Sequence, residues 1–387
     1  MKPGITIEQL PVFLLTGFLG AGKTTLLNRI LENPAFHDTA LIINEFGLVS
    51  VDHDLVREGR ERPVVTTTGC ICCTVGSDLR SSLDELLVGR RDGSLPPFSR
   101  VIVETPGLAD PAPIINSLIP GGVAAMSLRD HAVARAFRLS GVITVVDVQG
   151  IGAALDSHPE SLRQIAFADH VVLTRTDVAP AGDWPEKLKR LNPGLRIHDG
   201  TDPSFRPAAL LEPASYSAFG KGEGVEAWLA AEASHDHGHG HGGHFHDLNR
   251  HGNVVAIPLV RDDPVDERAL RQFLMRLTTT RGNGLLRIKG LVALQDDPSA
   301  PALIHAVQHR LYPIMRLEGW PQGQAASRLV IIGTNLDEGA IRAEFEALSG
   351  KPQPVSRHGV PGIQAGRQAL RLMGRPGPGP GRTRRES

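Results

Sequence analysis

Residues 17–27 read GFLGAGKTTLL and fit the pattern G-x-x-x-x-G-K-[ST] between a predicted strand and a predicted helix. Glycines at such a turn let backbone N–H groups close around phosphate oxygens. Lys23 can supply a cation to the β and γ phosphates, and the Thr24 hydroxyl can coordinate Mg²⁺. The stretch therefore predicts a phosphate-binding loop, and the alternative is a glycine-rich turn without a ligand. Its expected nucleotide contacts are Gly17, Leu19, Gly20, Ala21, Gly22, Lys23, Thr24 and Thr25.

The region from about residue 10 to about residue 200 alternates short β-branched runs with helical patterns. The candidate strands read PVFLLTG, TALIINEF, RVIVETPG, GVITVVDV and HVVLTRTD. Near-continuous apolar strands separated by helices indicate a parallel sheet that is covered on both faces. The sequence thus predicts a doubly wound α/β domain, in which ligands bind at the carboxyl ends of the strands.

The rest of the chain divides by composition. Residues 213–252 are rich in Gly and His and predict a mobile linker. Residues 253–350 carry three predicted strands and two amphipathic helical patterns, an order that indicates a small α+β domain. Residues 351–387 are basic and rich in Pro and Gly, which predicts a disordered tail. The first domain accordingly covers residues 1–212.

Two further strand ends carry candidate site residues. Glu104 follows an apolar run and, with Lys23 and Thr24, is expected to act in catalysis by holding the metal or orienting water. The backbone N–H of Gly107 would then approach the γ-phosphate. Asp177 can accept hydrogen bonds from the guanine N1–H and 2-amino group, while Arg175 lies over the base. The alternatives are a surface glutamate and a chance occurrence of T-x-x-D.

All three cysteines of the chain, Cys70, Cys72 and Cys73, lie within the stretch TTTGCICCTVG. An odd number of thiols with two adjacent ones argues against a disulfide framework and predicts a reducing, cytoplasmic setting. Three thiolates would fill most of a tetrahedral Zn²⁺ site. Buried structural thiols and a redox switch are the alternatives.

A second candidate metal region is the linker, where His and Gly alternate. Such a segment allows many chelate geometries and predicts loose, exchangeable metal loading. The alternative is a solvated linker that holds no metal. Its histidines are His235, His237, His239, His241, His244, His246 and His251.

Composition and charge exclude several classes of protein. A hydrophobic content of 41% with 21% charged residues is typical of a globular protein, and a net charge of -1 gives no overall attraction to nucleic acid. No run of about 18 apolar residues predicts a membrane span. The apolar run after Lys2 leads directly into GKTT without a cleavage region, so we interpret it as a buried strand rather than a signal peptide. Neither nucleic acid nor membrane is an expected partner.

Taken together, these motifs resemble the CobW and zinc-metallochaperone GTPase family, which is related to the nickel-insertion GTPases of urease and hydrogenase. The resemblance covers nearly residues 10 to 350 and includes the His-rich linker. It rests on GFLGAGKTTLLNRIL, IINEFGLVSVDHDLV, TTGCICCTV, VIVETPGLADPAPI, VVLTRTD, RIKG and RLVIIGT. The family implies Mg²⁺-dependent GTP hydrolysis coupled to delivery of a metal, often zinc, from Cys-x-Cys-Cys to an apo client protein. Its nickel-insertion relatives imply a homodimer.

Two departures from the family pattern affect these expectations. Thr174 and Arg175 stand where family members usually carry Asn and Lys, which softens the expected preference for GTP. Ile43 and Leu48 stand where many relatives carry carboxylates, so the fourth zinc ligand is unassigned.

Two acidic residues of the stretch NEFGLVSVD, Glu45 and Asp52, are candidate switch residues that sense Mg²⁺ or water. The alternative is a purely structural role for both.

Three other functions fit parts of the sequence. A small-molecule kinase on the same phosphate loop would leave the cysteines incidental. A cobalamin-biosynthesis GTPase would carry cobalt, because thiolate and imidazole sites accept several metals. A metal-storage protein would bind its metal through the histidines alone.

Overall fold

The computed structural model describes residues 9–43, 64–67, 77–118, 128–211, 254–280, 284–320 and 326–348, with the backbone alone at 64–67, 77–78 and 128–129. The chain up to Gly350 forms one compact unit. Within the described ranges, the helices are too short or too polar to cross a bilayer.

The first sheet has seven strands in the order β3-β2-β4-β1-β5-β6-β7, and each neighbouring pair runs parallel. This sheet confirms the predicted doubly wound α/β fold. The strands are β1 Leu10–Gly17, β2 Thr39–Ile43, β3 Val64–Thr67, β4 Arg100–Glu104, β5 Phe137–Asp147, β6 His170–Thr174 and β7 Arg196–Asp199.

Helices cover both faces of this sheet. They are α1 Lys23–Leu31, α2 Ser77–Asp92, α3 Pro111–Leu118, α4 Leu128–Ala136, α5 Ile151–Ser157, α6 Pro159–Phe167 and α7 Trp184–Leu191. Successive side chains of β1 point to opposite faces, so Phe13 and Leu15 pack with α1 while Val12 and Leu14 pack on the other side. Burial on both sides explains why the central strands are apolar throughout.

The second sheet is antiparallel, with the order β11-β10-β9-β13-β8 and β12 paired to β10. Two helices, α8 Glu267–Thr280 and α9 Glu338–Glu346, pack on one of its faces. The predicted strands and helices of this region are confirmed, and three further strands are present. The strands are β8 Val254–Arg261, β9 Leu285–Val292, β10 Ala302–Val307, β11 Arg310–Leu311, β12 Met315–Arg316 and β13 Ser327–Thr334.

The other face of the second sheet shares a hydrophobic core with the first. Leu286 and Val330 belong to the same buried cluster as Val12 and Leu14 of β1. Tyr312 adds a polar contact, since its hydroxyl donates to Asn116 Oδ1 of α3 at 2.6 Å. The predicted division into domains of residues 1–212 and 253–350 stays a prediction, because the two sheets lie within one compact unit.

A buried ionic cluster also joins the two sheets. Arg287 of β9 donates to the carbonyls of Phe167 and Ala168, at 3.0 and 3.1 Å, at the carboxyl end of α6. It donates as well to Asp169 Oδ1 at 2.8 Å, and Lys289 reaches the same oxygen at 3.2 Å. Burial raises the pKa of Asp169, but Lys289 and Arg287 outweigh it and hold that pKa well below its usual range. Burial lowers the pKa of Lys289 to about 8.

Candidate nucleotide site

The turn after β1 has the backbone that its glycines permit. Gly17, Gly20 and Gly22 have φ values of 143°, 74° and 97°, in a region that side chains disfavour. A Cβ atom on Gly17 would lie 2.3 Å from the Val145 carbonyl oxygen, so no larger residue fits there. Gly22 caps α1 without a side-chain hydrogen bond from any described residue. A glycine-rich turn at the start of a helix is the arrangement that binds anions in other proteins.

Lys23 lies at the first position of α1 and is buried against the turn. Its Nζ donates to the carbonyls of Gly17 at 3.0 Å and Phe18 at 3.2 Å. These contacts hold the ammonium group at the phosphate loop, where it can transfer its hydrogen bonds to phosphate oxygens.

Thr24 and Glu104 meet at the carboxyl edge of the sheet. Glu104, the last residue of β4, lies in register with Leu15 of β1 and Ile43 of β2, and it is 7% exposed. The Thr24 hydroxyl donates to Glu104 Oε1 at 3.0 Å. A hydroxyl and a carboxylate at the mouth of a phosphate loop are the oxygen donors that Mg²⁺ prefers, so the residues fit this ion.

The loop after β4 packs directly on the phosphate loop. A Cβ atom on Gly107 would lie 2.6 Å from the backbone N and Cα of Leu19, so only glycine allows this approach. Gln164 of α6 holds the loop through Nε2, which donates to the carbonyls of Gly107 at 3.0 Å and Ala109 at 3.1 Å. Gly107 therefore lies against the phosphate loop, and its predicted contact with the γ-phosphate stays a prediction.

The end of β6 is tied to the same loop. Thr174 Oγ1 donates to the Ala21 carbonyl at 2.9 Å, and Arg175 donates to the Gly20 carbonyl at 3.3 Å and forms an ion pair with Asp147. Arg175 has a φ of 61°, in the left-handed region. The two residues that depart from the family pattern thus still connect β6 to the phosphate loop, and they leave the carboxylate of Asp177 exposed beyond them.

Sequence reasoning missed a hydroxyl cluster beside Asp177. Asp199, at the end of β7, accepts hydrogen bonds from the hydroxyls of Thr176 at 2.5 Å and Thr201 at 2.9 Å. Burial raises the pKa of Asp199, but these hydrogen bonds outweigh it and lower that pKa. The signal was the position of Asp199 at the end of a strand, yet the strand itself is only four residues long.

Several predicted residues lie outside the described part of the chain: Cys70, Cys72, Cys73, Glu45, Asp52, Leu48, His235, His237, His239, His241, His244, His246 and His251. The described backbone brackets the cysteines, since β3 ends at Thr67 and α2 begins at Ser77. Ile43 is buried in the core at the end of β2 and offers no ligand atom. No group of three or more His, Cys, Asp or Glu within the described ranges could hold a metal ion.

A glycine turn, a buried lysine and a threonine–glutamate pair at the carboxyl edge of a parallel sheet define a P-loop nucleotide-binding protein. A family model described as "CobW/HypB/UreG, nucleotide-binding domain" matches residues 11–199, and one for the "Cobalamin synthesis protein cobW C-terminal domain" matches residues 254–349. The chain therefore belongs to the CobW/HypB/UreG family, as the motifs predicted.

Two bacterial zinc chaperones match over almost their whole length. The chain is 31% identical over 344 residues to the zinc chaperone YjiA of Escherichia coli (strain K12), covering 88% of this chain and 99% of that protein. It is also 31% identical over 374 residues to the zinc chaperone CobW of a Sinorhizobium species, with coverage of 88% and 97%. The crystal structure of Zn(II)-bound YjiA GTPase from E. coli matches with a TM-score of 0.64 at 26% identity, covering 88% of this chain and 99% of that one.

Proposed function

We propose that the protein is a GTP-hydrolysing metallochaperone, which binds zinc at Cys70, Cys72 and Cys73 and transfers it to an apo client protein. The observation that carries this proposal is the Thr24–Glu104 pair, in a chain that is 31% identical to a zinc chaperone over 99% of that relative. The pair supports nucleotide hydrolysis, and the relative supports zinc as the cargo.

Hydrolysis is carried by residues at the carboxyl edge of the first sheet. The N–H groups of the phosphate loop and the Lys23 ammonium bind the β and γ phosphates. Thr24 and Glu104 would hold Mg²⁺, and the bound ion would neutralise charge on the phosphates. The alternative role of Glu104 is to orient the attacking water. The Gly107 N–H contacts the γ-phosphate. The Gly107 loop is thereby placed to respond to loss of that phosphate.

Selection of guanine is assigned to the end of β6. The exposed carboxylate of Asp177 accepts from the guanine N1–H and 2-amino group, whereas adenine presents no donor there. Arg175, held against the Gly20 carbonyl and Asp147, lies along the base plane.

The zinc cargo is assigned to the segment between β3 and α2. β3 pairs with β2 in parallel, and Thr67, Ile43 and Glu104 lie in one row across the sheet. The segment with the cysteines therefore leaves the sheet at the edge where Glu104 stands. Glu45 and Asp52, within the segment that follows β2, are proposed to sense Mg²⁺ or water. The linker histidines are proposed to load zinc loosely.

Zinc binding in two nucleotide states tests the coupling. Binding of the γ-phosphate and of zinc should influence each other reciprocally. The full chain is titrated with Zn²⁺ in Mg·GTP analogue and in Mg·GDP, and the affinities should differ by roughly fivefold or more, within the usual range of coupling energies. Equal affinities would contradict the coupling.

Variants separate hydrolysis from cargo binding. Lys23→Ala should abolish hydrolysis yet bind zinc, whereas Cys72→Ser should hydrolyse GTP at the basal rate without stimulation by metal. Transfer of zinc from the GTP-bound chain to candidate apo proteins tests the chaperone role. Appearance of a phosphorylated acceptor in place of free phosphate would instead indicate a kinase.

We also propose a cytoplasmic homodimer formed around the nucleotide. The side chains of Leu19 and Leu108, on either side of the Gly107 approach, are 71% and 47% exposed, which supports coverage by a second copy. Light scattering should give twice the monomer mass with Mg·GTP analogue. A Leu108→Asp variant that still dimerises would argue against this surface.

A further inference from the structure

A cavity of about 310 Å³ lies between the phosphate loop and the helices α5 and α6. The strand β5 forms its floor, with residues from Thr144 to Asp147. Leu19 and Ala153 stand exposed at its rim, and Ile151 and Ile165 are buried in its wall. Its volume falls at the lower end of the range for small-molecule sites, about 300 to 1,000 Å³.

This cavity lies beside the proposed nucleotide site, and of the expected nucleotide contacts its described lining includes only Leu19 and Ala21. Its described lining includes none of Lys23, Thr24, Glu104 or Asp177. The phosphate loop forms one wall of the cavity, through Phe18, Leu19 and Ala21.

The wall of the cavity contains a buried hydroxyl group that lacks a hydrogen-bond partner among the described residues. Ser161 of α6 is 5% exposed, and its Oγ has no hydrogen-bond partner among the residues that the structure describes. A buried hydroxyl left unpaired costs about 1–3 kcal/mol. A bound molecule with a hydrogen-bonding group would recover part of this cost. By contrast, Thr144 and Gln164 in the same wall are already paired, since Thr144 Oγ1 donates to the Gln164 carbonyl at 2.8 Å and Gln164 Nε2 holds the Gly107 loop.

The remaining polar groups of the wall favour an uncharged ligand. The carboxylate of Asp147 is neutralised by its ion pair with Arg175. The ring of His158 packs against that of Phe18, with centroids 4.7 Å apart. Apart from the exposed Ser157, the rest of the wall is largely aliphatic, including Ile151, Ala154 and Ile165.

We propose that this cavity is a ligand site for a small, uncharged and mainly apolar molecule that carries one hydrogen-bonding group opposite Ser161. The occupant packs against Phe18 and Ile151 and bonds to the Ser161 hydroxyl. It also contacts Leu19 and Gln164, the two residues that pack against or hold the Gly107 loop. The site goes beyond the proposed GTPase and zinc roles.

Two matched probes test the site on the full chain without nucleotide. Indole has one N–H donor, and 1-methylindole lacks it but is slightly more apolar. Isoleucine methyl spectra should show saturable shifts at Ile151 and Ile165 and none at Ile331 of β13 or Ile341 of α9. In Ser161→Ala the dissociation constant of indole should rise roughly fivefold, the ratio expected for one hydrogen bond, while that of 1-methylindole changes less than about twofold.

A variant at the rim of the cavity provides a second test. The Ala153→Trp side chain should fill the opening and exclude indole sterically. The dissociation constant of indole should therefore rise at least about tenfold. Ala153→Ser, of nearly the original size, should bind indole as before. Thermal melts of each variant establish that it is folded. Absence of saturable shifts at Ile151 and Ile165, or unchanged binding in Ala153→Trp, would overturn the proposal. Lys23→Ala should bind indole normally, so loss of hydrolysis and loss of this site are distinguishable.

Discussion

Thr24 and Glu104, 80 residues apart in the chain, are joined by a hydrogen bond of 3.0 Å from the threonine hydroxyl to the carboxylate. The parallel sheet creates this meeting, because β1 and β4 are neighbours and end at the same edge. The threonine lies in the first turn of α1, and the glutamate is the last residue of β4. A shift of either element would separate the two oxygen donors that a divalent cation needs.

Replacement of Glu104 by Gln should lower GTP hydrolysis about 100-fold, the lower range for loss of an acid–base group. The amide keeps the shape of the side chain but cannot attract Mg²⁺ as the carboxylate does. Phosphate release measures the effect. Glu318→Gln, at an exposed position in the second-sheet region, is the matched control and should leave hydrolysis unchanged. Equal rates in the two variants would remove Glu104 from the site.

Replacement of Gly107 by Ala should impair nucleotide binding or hydrolysis by at least about tenfold. The added Cβ would meet the Leu19 backbone at 2.6 Å, and that backbone is part of the phosphate loop. Gly319→Ala is the control, because a Cβ there meets nothing within 4 Å. Titration with fluorescent GDP and a hydrolysis assay separate the two effects. Wild-type behaviour of Gly107→Ala would show that the close approach can relax.

Replacement of Asp177 by Asn should weaken GTP roughly 10- to 100-fold, the loss expected for a charge-assisted hydrogen bond. ATP should bind about as before, because adenine offers no donors to that carboxylate. Competition between GTP and ATP for the same site measures the ratio. Asp262→Asn, exposed at the end of β8, should leave it unchanged. A preserved GTP preference in Asp177→Asn would move base selection elsewhere, with Asp199 the next residue to test.

Replacement of Arg287 by Met should lower the free energy of unfolding by about 3–5 kcal/mol, because the buried carboxylate of Asp169 would lose one of its two ion-pair partners and keep only Lys289 among the described residues. Denaturant unfolding followed by circular dichroism measures the loss. Arg271→Met removes an exposed ion pair to Glu267 and should cost about 1 kcal/mol or less. Similar losses in the two variants would show that the cluster does not stabilise the joint between the sheets.

Stability should fall as the pH is lowered from about 6.5 toward 3. Burial lowers the pKa of His170 to about 3, from 6.5 for the exposed side chain, and it also lowers the pKa of His198, which shares a 3.0 Å hydrogen bond with His170. Between about pH 3 and 6.5, His170 is protonated in the unfolded chain but neutral in the folded chain. Stability therefore rises with pH in this range and levels off above about 6.5. The slope that the His170 ring contributes is about 1.4 kcal/mol per pH unit.

Denaturant midpoints between pH 4 and 8 check this dependence. The variant His170→Gln should lower the slope of the profile, because glutamine does not titrate. An NMR titration of the His170 ring gives its pKa directly. A value near 6.5 would contradict the argument from burial.

The central strands and the phosphate loop could be predicted because their signals are local. Continuous apolar runs indicate strands covered on both faces, and glycine spacing indicates the turn before Lys23. Glu104 followed from its place at the end of such a run. The strands β3 and β7 were missed, since four residues such as VVTT or RIHD give no periodicity to detect.

Contacts between distant segments could not be predicted in the same way. Gln164 is a helix residue with no motif around it, yet its side chain holds the Gly107 loop. Arg287 lies in a strand of the second sheet and bonds to the end of α6. Such pairings depend on the packing of whole elements, which spacing along the chain does not record. The roles of the three cysteines stay a prediction.

The hydrophobic cluster that unites Val12 and Leu14 with Leu286 and Val330 limits how the chain can be divided. The two family matches, to residues 11–199 and 254–349, suggest two domains that could be exchanged between relatives. A fragment that ends near residue 212 would present the apolar half of that cluster to water and should aggregate. Chimeras between relatives will therefore tolerate exchange of surface loops more readily than exchange of one of these two regions without the other.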